Sequence, residues 1–352
     1  MTDTPPRPPG SLGKRLVLSG IVLITALVLA EAFVRVLPEP PSIRFTQDTD
    51  ELQRLKLDRF AGVLTNDRER FWRLVPGSTL PAPIAETDRG PFFGVIANRQ
   101  GFREDHELAA VKPDNEVRLL FLGDSCTFGF GVAHDQTFVA HCEDRLNEQN
   151  PGRRFECLNA GVPGYTLFQG CRVLDQEGPR VKPDVVVACF GFNDRAAWDG
   201  LGDLEHAALG PPGFLGNSQL ARRLWRTDAP RAGSGSRPRV TPGEYRQLLS
   251  RLHARTRQLG SRLALIAWCE RFQVENSRDE RTPWQVELYR FAREHELPLV
   301  DLVPAMQEWN GPPDQPSLFL DIIHVTPAAH SRIAGLAVEA LGPLLPGGDA
   351  RR

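Results

Sequence analysis

From residue 117 onward the chain alternates two patterns. Short, nearly continuous apolar runs stand at VRLLFLG (117–123), FECLN (155–159), DVVVACF (184–190), RLALIAW (262–268) and PLVDL (298–302). Runs of this kind, without alternating polar positions, predict strands buried on both faces, as in a parallel sheet. The longer segments between them carry helix start signals. Thr241-Pro242-Gly243-Glu244 offers a capping Thr, a Pro at the first helical position and a Glu at the third. Thr282-Pro283-Trp284-Gln285 repeats the form, and Thr326-Pro327 opens a last helix that Gly342-Pro343 ends near Leu341. Five strands joined by helices predict an α/β domain of three layers, α/β/α, over residues 116–346.

One connection is too long for this scheme. Residues 195–240 separate the third strand from the helix at 241. Insertions of this length inside a compact domain are usually functional or disordered. The segment reads as a lid or substrate-side element, with a short helix in SQLARRLWR and a flexible tip near 230–239; a plain surface loop is the competing reading. Residues 38–115 read as a linker (38–50) and a small accessory region of short strands and turns. Phe71, Trp72, Phe92, Phe93 and Phe102 would pack that region onto the main domain.

The most apolar stretch is LVLSGIVLITALVLAEAFVRVL at 16–37, interrupted only by Glu31 and Arg35, which as i,i+4 neighbours can pair on a helix. Its 22 residues suffice to cross a bilayer core. Lys14 and Arg15 precede it, which puts the tail 1–15 in the cytoplasm and the rest outside by the positive-inside tendency. A retained, single-pass signal anchor in the cell membrane is the favoured reading. A signal peptide cleaved near Ala30-Glu31-Ala32 would instead leave a secreted or periplasmic protein. A buried core helix is the third and weakest reading.

A net charge of −2 and the lack of a basic, aromatic-interleaved stripe exclude nucleic acid as the expected partner. The six Cys form no C-x-x-C, and three of them, Cys157, Cys189 and Cys269, sit in or beside strand-like runs, where a thiol acts as a small buried apolar group; free thiols are the favoured reading and a disulfide the alternative. No H-E-x-x-H, Walker A or G-x-G-x-x-G sequence is present, so no metal or cofactor site is indicated.

In an open α/β sheet, ligands bind beyond the carboxyl ends of the strands. Four stretches fall there: Gly123-Asp124-Ser125, Asn159-Ala160-Gly161-Val162-Pro163-Gly164, Gly191-Phe192-Asn193-Asp194 and Asp321-Ile322-Ile323-His324. Each alone is weak, since turns favour the same residue types. Together they make coherent chemistry. A Ser hydroxyl needs a base, His324 can supply it, and Asp321 can orient His324 from three residues away. The oxyanion formed by attack needs fixed donors, for which the N–H of Ser125, the N–H of Gly164 and the amide of Asn193 are candidates. Asp124 more readily shapes the turn, and Cys126 is a minor rival nucleophile. His106, His134, His141, His206, His253, His295 and His330 lack this setting and read mostly as solvated surface residues.

On these four blocks the chain resembles the SGNH (GDSL-type) hydrolases, over about residues 116–345. The ANRQGFRE stretch before the first strand resembles a bacterial, membrane-anchored subgroup. The resemblance implies a flavodoxin-like parallel sheet and ester hydrolysis without a metal. Ser125, His324 and Asp321 would be the triad, and Ser125, Gly164 and Asn193 the oxyanion hole, with Asp124, Gly191 and Asp194 in support. Gly164 rather than Gly161 matches the family glycine by its spacing from Asn159. The expectation is an extracytoplasmic serine esterase acting on short acyl esters, O-acetyl groups on cell-envelope polysaccharide being the favoured substrate. An O-acyltransferase with the same triad, or a non-catalytic envelope carbohydrate-binding or scaffold protein, are the alternatives.

Overall fold

The computed structural model describes residues 11–37, 63–79, 85–87, 90–92, 94, 96–197, 200–209, 217–224, 237–276, 280–311 and 317–346. The linker at 38–50, Phe93 and most of the tip near 230–239 lie outside the described residues, as does the side chain of Phe92. The chain divides into two compact units. The described residues of 1–41 and 207–229 make one, and those of 42–206 and 230–352 make the other.

The first unit is built on helix α1 (Ser11–Arg35). Residues Gly13–Arg35 hold an 18-residue window with a mean hydropathy of 2.4 and are long and apolar enough to cross a membrane. Leu16, Val22, Leu23, Ile24 and Phe33 are all exposed along it. Glu31 and Arg35 pair at 2.8 Å. Glu31 does more than balance that charge. Its carboxylate accepts the Ser218 hydroxyl at 2.7 Å and the N–H groups of Gln219 and Leu220 at 3.0 Å each. These are the unsatisfied donors at the start of the short helix Gln219–Leu224, which the sequence places in SQLARRLWR. The long insertion is therefore shared: its middle belongs with α1, while its two ends stay with the sheet.

Among the described residues the second unit holds nine strands. Two antiparallel pairs come first, β1 (Leu64–Asp67) with β2 (Phe71–Leu74) and β3 (Ala85–Thr87) with β4 (Gly90–Phe92). The main sheet follows: β5 (Glu116–Gly123), β6 (Arg154–Gly161), β7 (Val185–Cys189), β8 (Arg262–Ala267) and β9 (Leu299–Asp301). All five are parallel, in the order β6-β5-β7-β8-β9. That is the flavodoxin-like order, with its switch point between β5 and β7.

Alternate residues of β5 explain the layers. Leu120 and Leu122 point into one core with the helices at 167–181, 242–258 and 283–294, while Val117, Leu119 and Phe121 point into another with those at 138–149, 302–309 and 327–341. The first core also takes in Val63, Phe71, Trp72, Leu74 and Phe102. Of the five aromatics singled out in the sequence, Phe71, Trp72 and Phe102 thus share the core of the sheet. The Thr caps form as predicted, Thr241, Thr282 and Thr326 each accepting from a backbone N–H of the first turn. All six Cys are buried and unpaired.

Candidate active site

The site forms where β5 and β7 end side by side, at Gly123 and Cys189. Beyond Gly123 the chain turns at once into a single helical turn, Ser125–Phe128. Asp124 starts that turn by accepting the Cys126 N–H at 2.8 Å. Ser125 is its first residue, 8% exposed. Gly161, at the end of β6, lies against the same turn; a side chain there would run into the backbone of Thr127 and Phe128.

The loop at 319–325 approaches from the other side. Asp321 folds it by accepting the N–H groups of Ile323 and His324, at 2.9 and 2.8 Å. Its second oxygen lies 2.7 Å from His324 Nδ1. Trp268 Nε1 donates to the Ile323 carbonyl at 3.0 Å and fixes the loop from below. His324 Nε2 then stands 2.8 Å from Ser125 Oγ, across 199 residues of sequence. The Phe130 ring covers the imidazole, centroid to centroid at 4.7 Å.

The protonation pattern follows from the partners. A carboxylate only accepts, so His324 Nδ1 carries the proton toward Asp321 and Nε2 is left to accept from the Ser125 hydroxyl. Burial alone would raise the Asp321 pKa. The bond and charge of His324, with the two backbone N–H groups, outweigh it and lower the carboxyl to about 2. Asp321 is therefore ionised at neutral pH. Cys126 is the opposite case: burial, then the nearby Asp124, pushes its thiol well above the ordinary range and disfavours the thiolate.

Two loops close the rim. After β6, Gly164 adopts φ +80, a left-handed conformation open to glycine, and its N–H enters none of the backbone hydrogen bonds among the described residues. After β7, Gly191 leads into the short turn Asn193–Arg195. Asn193 is buried, and its amide donates to Asp124 at 3.0 Å and to the Tyr165 carbonyl at 3.2 Å. Asp124 therefore shapes the turn, as read from sequence, and also orients Asn193. Asp194 accepts the Leu167 N–H at 3.0 Å with one oxygen, while burial pushes its carboxyl up to about 8. The structure thus brings Ser125, His324, Asp321, Gly164 and Asn193 to one edge, with Asp124, Gly191 and Asp194 behind them.

Some structurally important groups were not legible in the sequence. Arg239 and Asp203, at the two ends of the long insertion, form a fully buried pair at 3.0 Å. Arg103 is buried and donates to the carbonyls of Phe128, Gly129 and Val132, which moors the loop after Ser125. The reading of the remaining histidines as mostly solvated is corrected: only His295 is exposed, while His106, His134, His141 and His253 are half-buried, His106 against Glu156 and His134 against Glu104, and two are buried. His330 is 1% exposed and accepts from the Phe138 N–H, and His206 is 8% exposed. For His330 a signal existed: it lies on one helical stripe with Ile333, Ala334, Ala337 and Leu341.

The family described as GDSL-like lipase/acylhydrolase matches residues 121–332. No curated protein sequence matches the chain. Among solved structures, an alpha/beta hydrolase enzyme from the metagenome of Lake Arreo, Spain, is 24% identical with a TM-score of 0.45, covering 65% of this chain and 97% of its own. The lipase/acylhydrolase from Enterococcus faecalis is 20% identical with a TM-score of 0.43, covering 64% and 95%. A variant of an acetyl xylan esterase from Geobacillus stearothermophilus is 21% identical with a TM-score of 0.41, covering 64% and 94%.

Proposed function

The chain belongs to the GDSL-like lipase/acylhydrolase family and is a carboxylic ester hydrolase, and on that premise we propose that Ser125, His324 and Asp321 carry out the reaction through an acyl-enzyme. The observation that supports this reading most is the continuous relay Asp321–His324–Ser125, with steps of 2.7 and 2.8 Å.

In this reading the Ser125 oxygen attacks the ester carbonyl as His324 Nε2 takes its proton. Asp321 holds the imidazole in the productive tautomer and stabilises the imidazolium. The tetrahedral oxyanion is met by the N–H groups of Ser125 and Gly164 and by the Asn193 amide, which turns to it the N–H that otherwise goes to the Tyr165 carbonyl at 3.2 Å while keeping its bond to Asp124. His324 returns its proton to the departing alkoxide. A water molecule, deprotonated by the same His324, then releases the acid and restores Ser125. Asp124, Gly191 and Asp194 keep the donors in place. The reaction needs no metal or organic cofactor, because base, acid and oxyanion donors all come from the chain.

The substrate class we propose is short acyl esters, O-acetyl groups on cell-envelope carbohydrate foremost. The domain at 116–346 would work outside the cytoplasm, tethered by the helix at 16–37 as a signal anchor. The exposed apolar surface of that helix, with Lys14 and Arg15 preceding it, supports this placement. The deciding experiment is hydrolysis of p-nitrophenyl acetate by the full chain in detergent, with and without Ser125→Ala. The variant is expected to lose the activity; equal rates would end the reading of Ser125 as the nucleophile.

A further inference from the structure

We propose that Trp72 and Arg239 are positioning residues that aim the Gly164 N–H at the reacting carbonyl, so that the β1–β2 hairpin and the end of the long insertion are working parts of the site. The inference rests on the reading of Gly164 as an oxyanion donor.

Three successive carbonyls of the loop after β6 are each held by a different buried side chain. Trp72 Nε1 donates to the Pro163 carbonyl at 3.0 Å. Arg239 Nη1 donates to the Gly164 carbonyl at 2.6 Å. The Asn193 amide donates to the Tyr165 carbonyl at 3.2 Å. In a trans peptide the C=O and the following N–H point in opposite directions. Pinning the Pro163 oxygen therefore fixes where the Gly164 N–H points, and pinning the Gly164 oxygen fixes the next peptide plane. Gly164, at φ +80, has no side chain of its own to hold this conformation. The clamp supplies what the residue lacks.

The clamp is itself braced. Trp72 is 4% exposed, its carbonyl accepts the Tyr165 hydroxyl at 2.5 Å, and the Tyr165 ring meets its indole edge-on. Arg239 is fully buried. Its other N–H groups go to both oxygens of Asp203, at 3.0 Å each, and to Gln169 at 2.7 Å. Asp203 also takes the Thr166 hydroxyl at 2.6 Å, two residues beyond Gly164. The Arg239 backbone reaches the second donor loop as well: its N–H goes to the Ala196 carbonyl at 2.8 Å, and that of Val240 goes to the Asp194 carbonyl at 3.0 Å. One residue thus ties the Gly164 loop to the Asn193 loop.

A residue that only packs would change stability, whereas one that aims a transition-state donor changes kcat and leaves ground-state binding alone. The test uses the full chain in detergent with Trp72→Phe, which keeps an aromatic ring but removes the N–H, and Arg239→Lys, which keeps the charge but cannot fork. Folding is followed by near-UV circular dichroism. Each variant is expected to lose about 10- to 100-fold in kcat on p-nitrophenyl acetate, with KM within about twofold. A short alkylboronic acid, which forms a tetrahedral adduct with the serine, is expected to bind more weakly by the same factor. The acid limb of the pH–rate profile is expected to stay in place, because His324 and Asp321 are untouched. If burying the lysine prevents folding, Trp72→Phe decides alone. Wild-type kcat and boronate affinity in the folded variants, with Ser125→Ala inactive, would overturn the positioning roles only. Wild-type hydrolysis by Ser125→Ala would overturn both these roles and the reading of Ser125 and Gly164 as catalytic groups beneath them.

Discussion

Asp321→Asn tests the relay with the smallest change in shape. In the native loop one Asp321 oxygen holds the N–H groups of Ile323 and His324, so an Asn must keep its carbonyl oxygen there. Its amide nitrogen then faces His324 Nδ1, where a carboxylate oxygen stood 2.7 Å away. Two donors cannot share that bond, so the imidazole must move its proton to Nε2, the nitrogen that should accept from Ser125. The variant also loses the charge that stabilises the imidazolium. With charge centres about 4 Å apart and an effective dielectric of about 20, that attraction is about 4 kcal/mol, or roughly 10³ in rate. Adding the wrong tautomer brings the expected loss of kcat to about 10⁴. Purified wild type and variant are compared on p-nitrophenyl acetate from acid to alkaline pH, with KM expected to change little. A variant within about tenfold of wild type would show that neither the tautomer nor the charge matters, and that Asp321 does not serve His324 in catalysis.

Asn193→Ala removes one proposed oxyanion donor and is expected to lower kcat by about 10²- to 10³-fold, measured on the same ester. Cys126→Ala should leave activity within about twofold of wild type, because burial keeps that thiol protonated; a loss comparable to that of Ser125→Ala would reinstate it as a nucleophile. His330 carries a prediction about acid stability. Burial, with smaller contributions from neighbouring positive charges, lowers its pKa to about 3, while in the unfolded chain it titrates near the ordinary value of 6.5. The unfolded state therefore binds the proton first, so this contribution is whole above about pH 6.5 and is lost as pH falls toward 3. His330→Gln, which keeps an acceptor for the Phe138 N–H, should flatten the fall in melting temperature across that window. A fall as steep as in wild type would show that His330 is not the group responsible.

The strands, the capped helices and the residues of the candidate site were readable because each is written locally. A buried parallel strand is a continuous apolar run, and a strand-end loop is where that run stops at Gly123 or after Cys189. The spacing from Asp321 to His324 is one turn, enough for a carboxylate to reach back to its own loop. What could not be read is what depends on distant approach. Trp72, Arg103 and Arg239 act through hydrogen bonds to backbone carbonyls, which leave no pattern in the residues they hold. Arg239 also lies in a Pro- and Arg-rich stretch that resembles any surface loop. The long insertion read as one element because nothing in its composition announces Glu31, nearly two hundred residues earlier, as the acceptor for the start of its short helix.

The central claim is that an ester's acyl group passes through Ser125. It is tested most directly by mixing the full chain with p-nitrophenyl acetate, quenching in acid before turnover is complete and mapping the peptides by mass spectrometry. A single acetyl group is expected on the peptide that holds Ser125, absent in Ser125→Ala and slow to form in His324→Gln. Acetylation of another residue at the same rate as ester hydrolysis, or hydrolysis by Ser125→Ala at the wild-type rate, would contradict it.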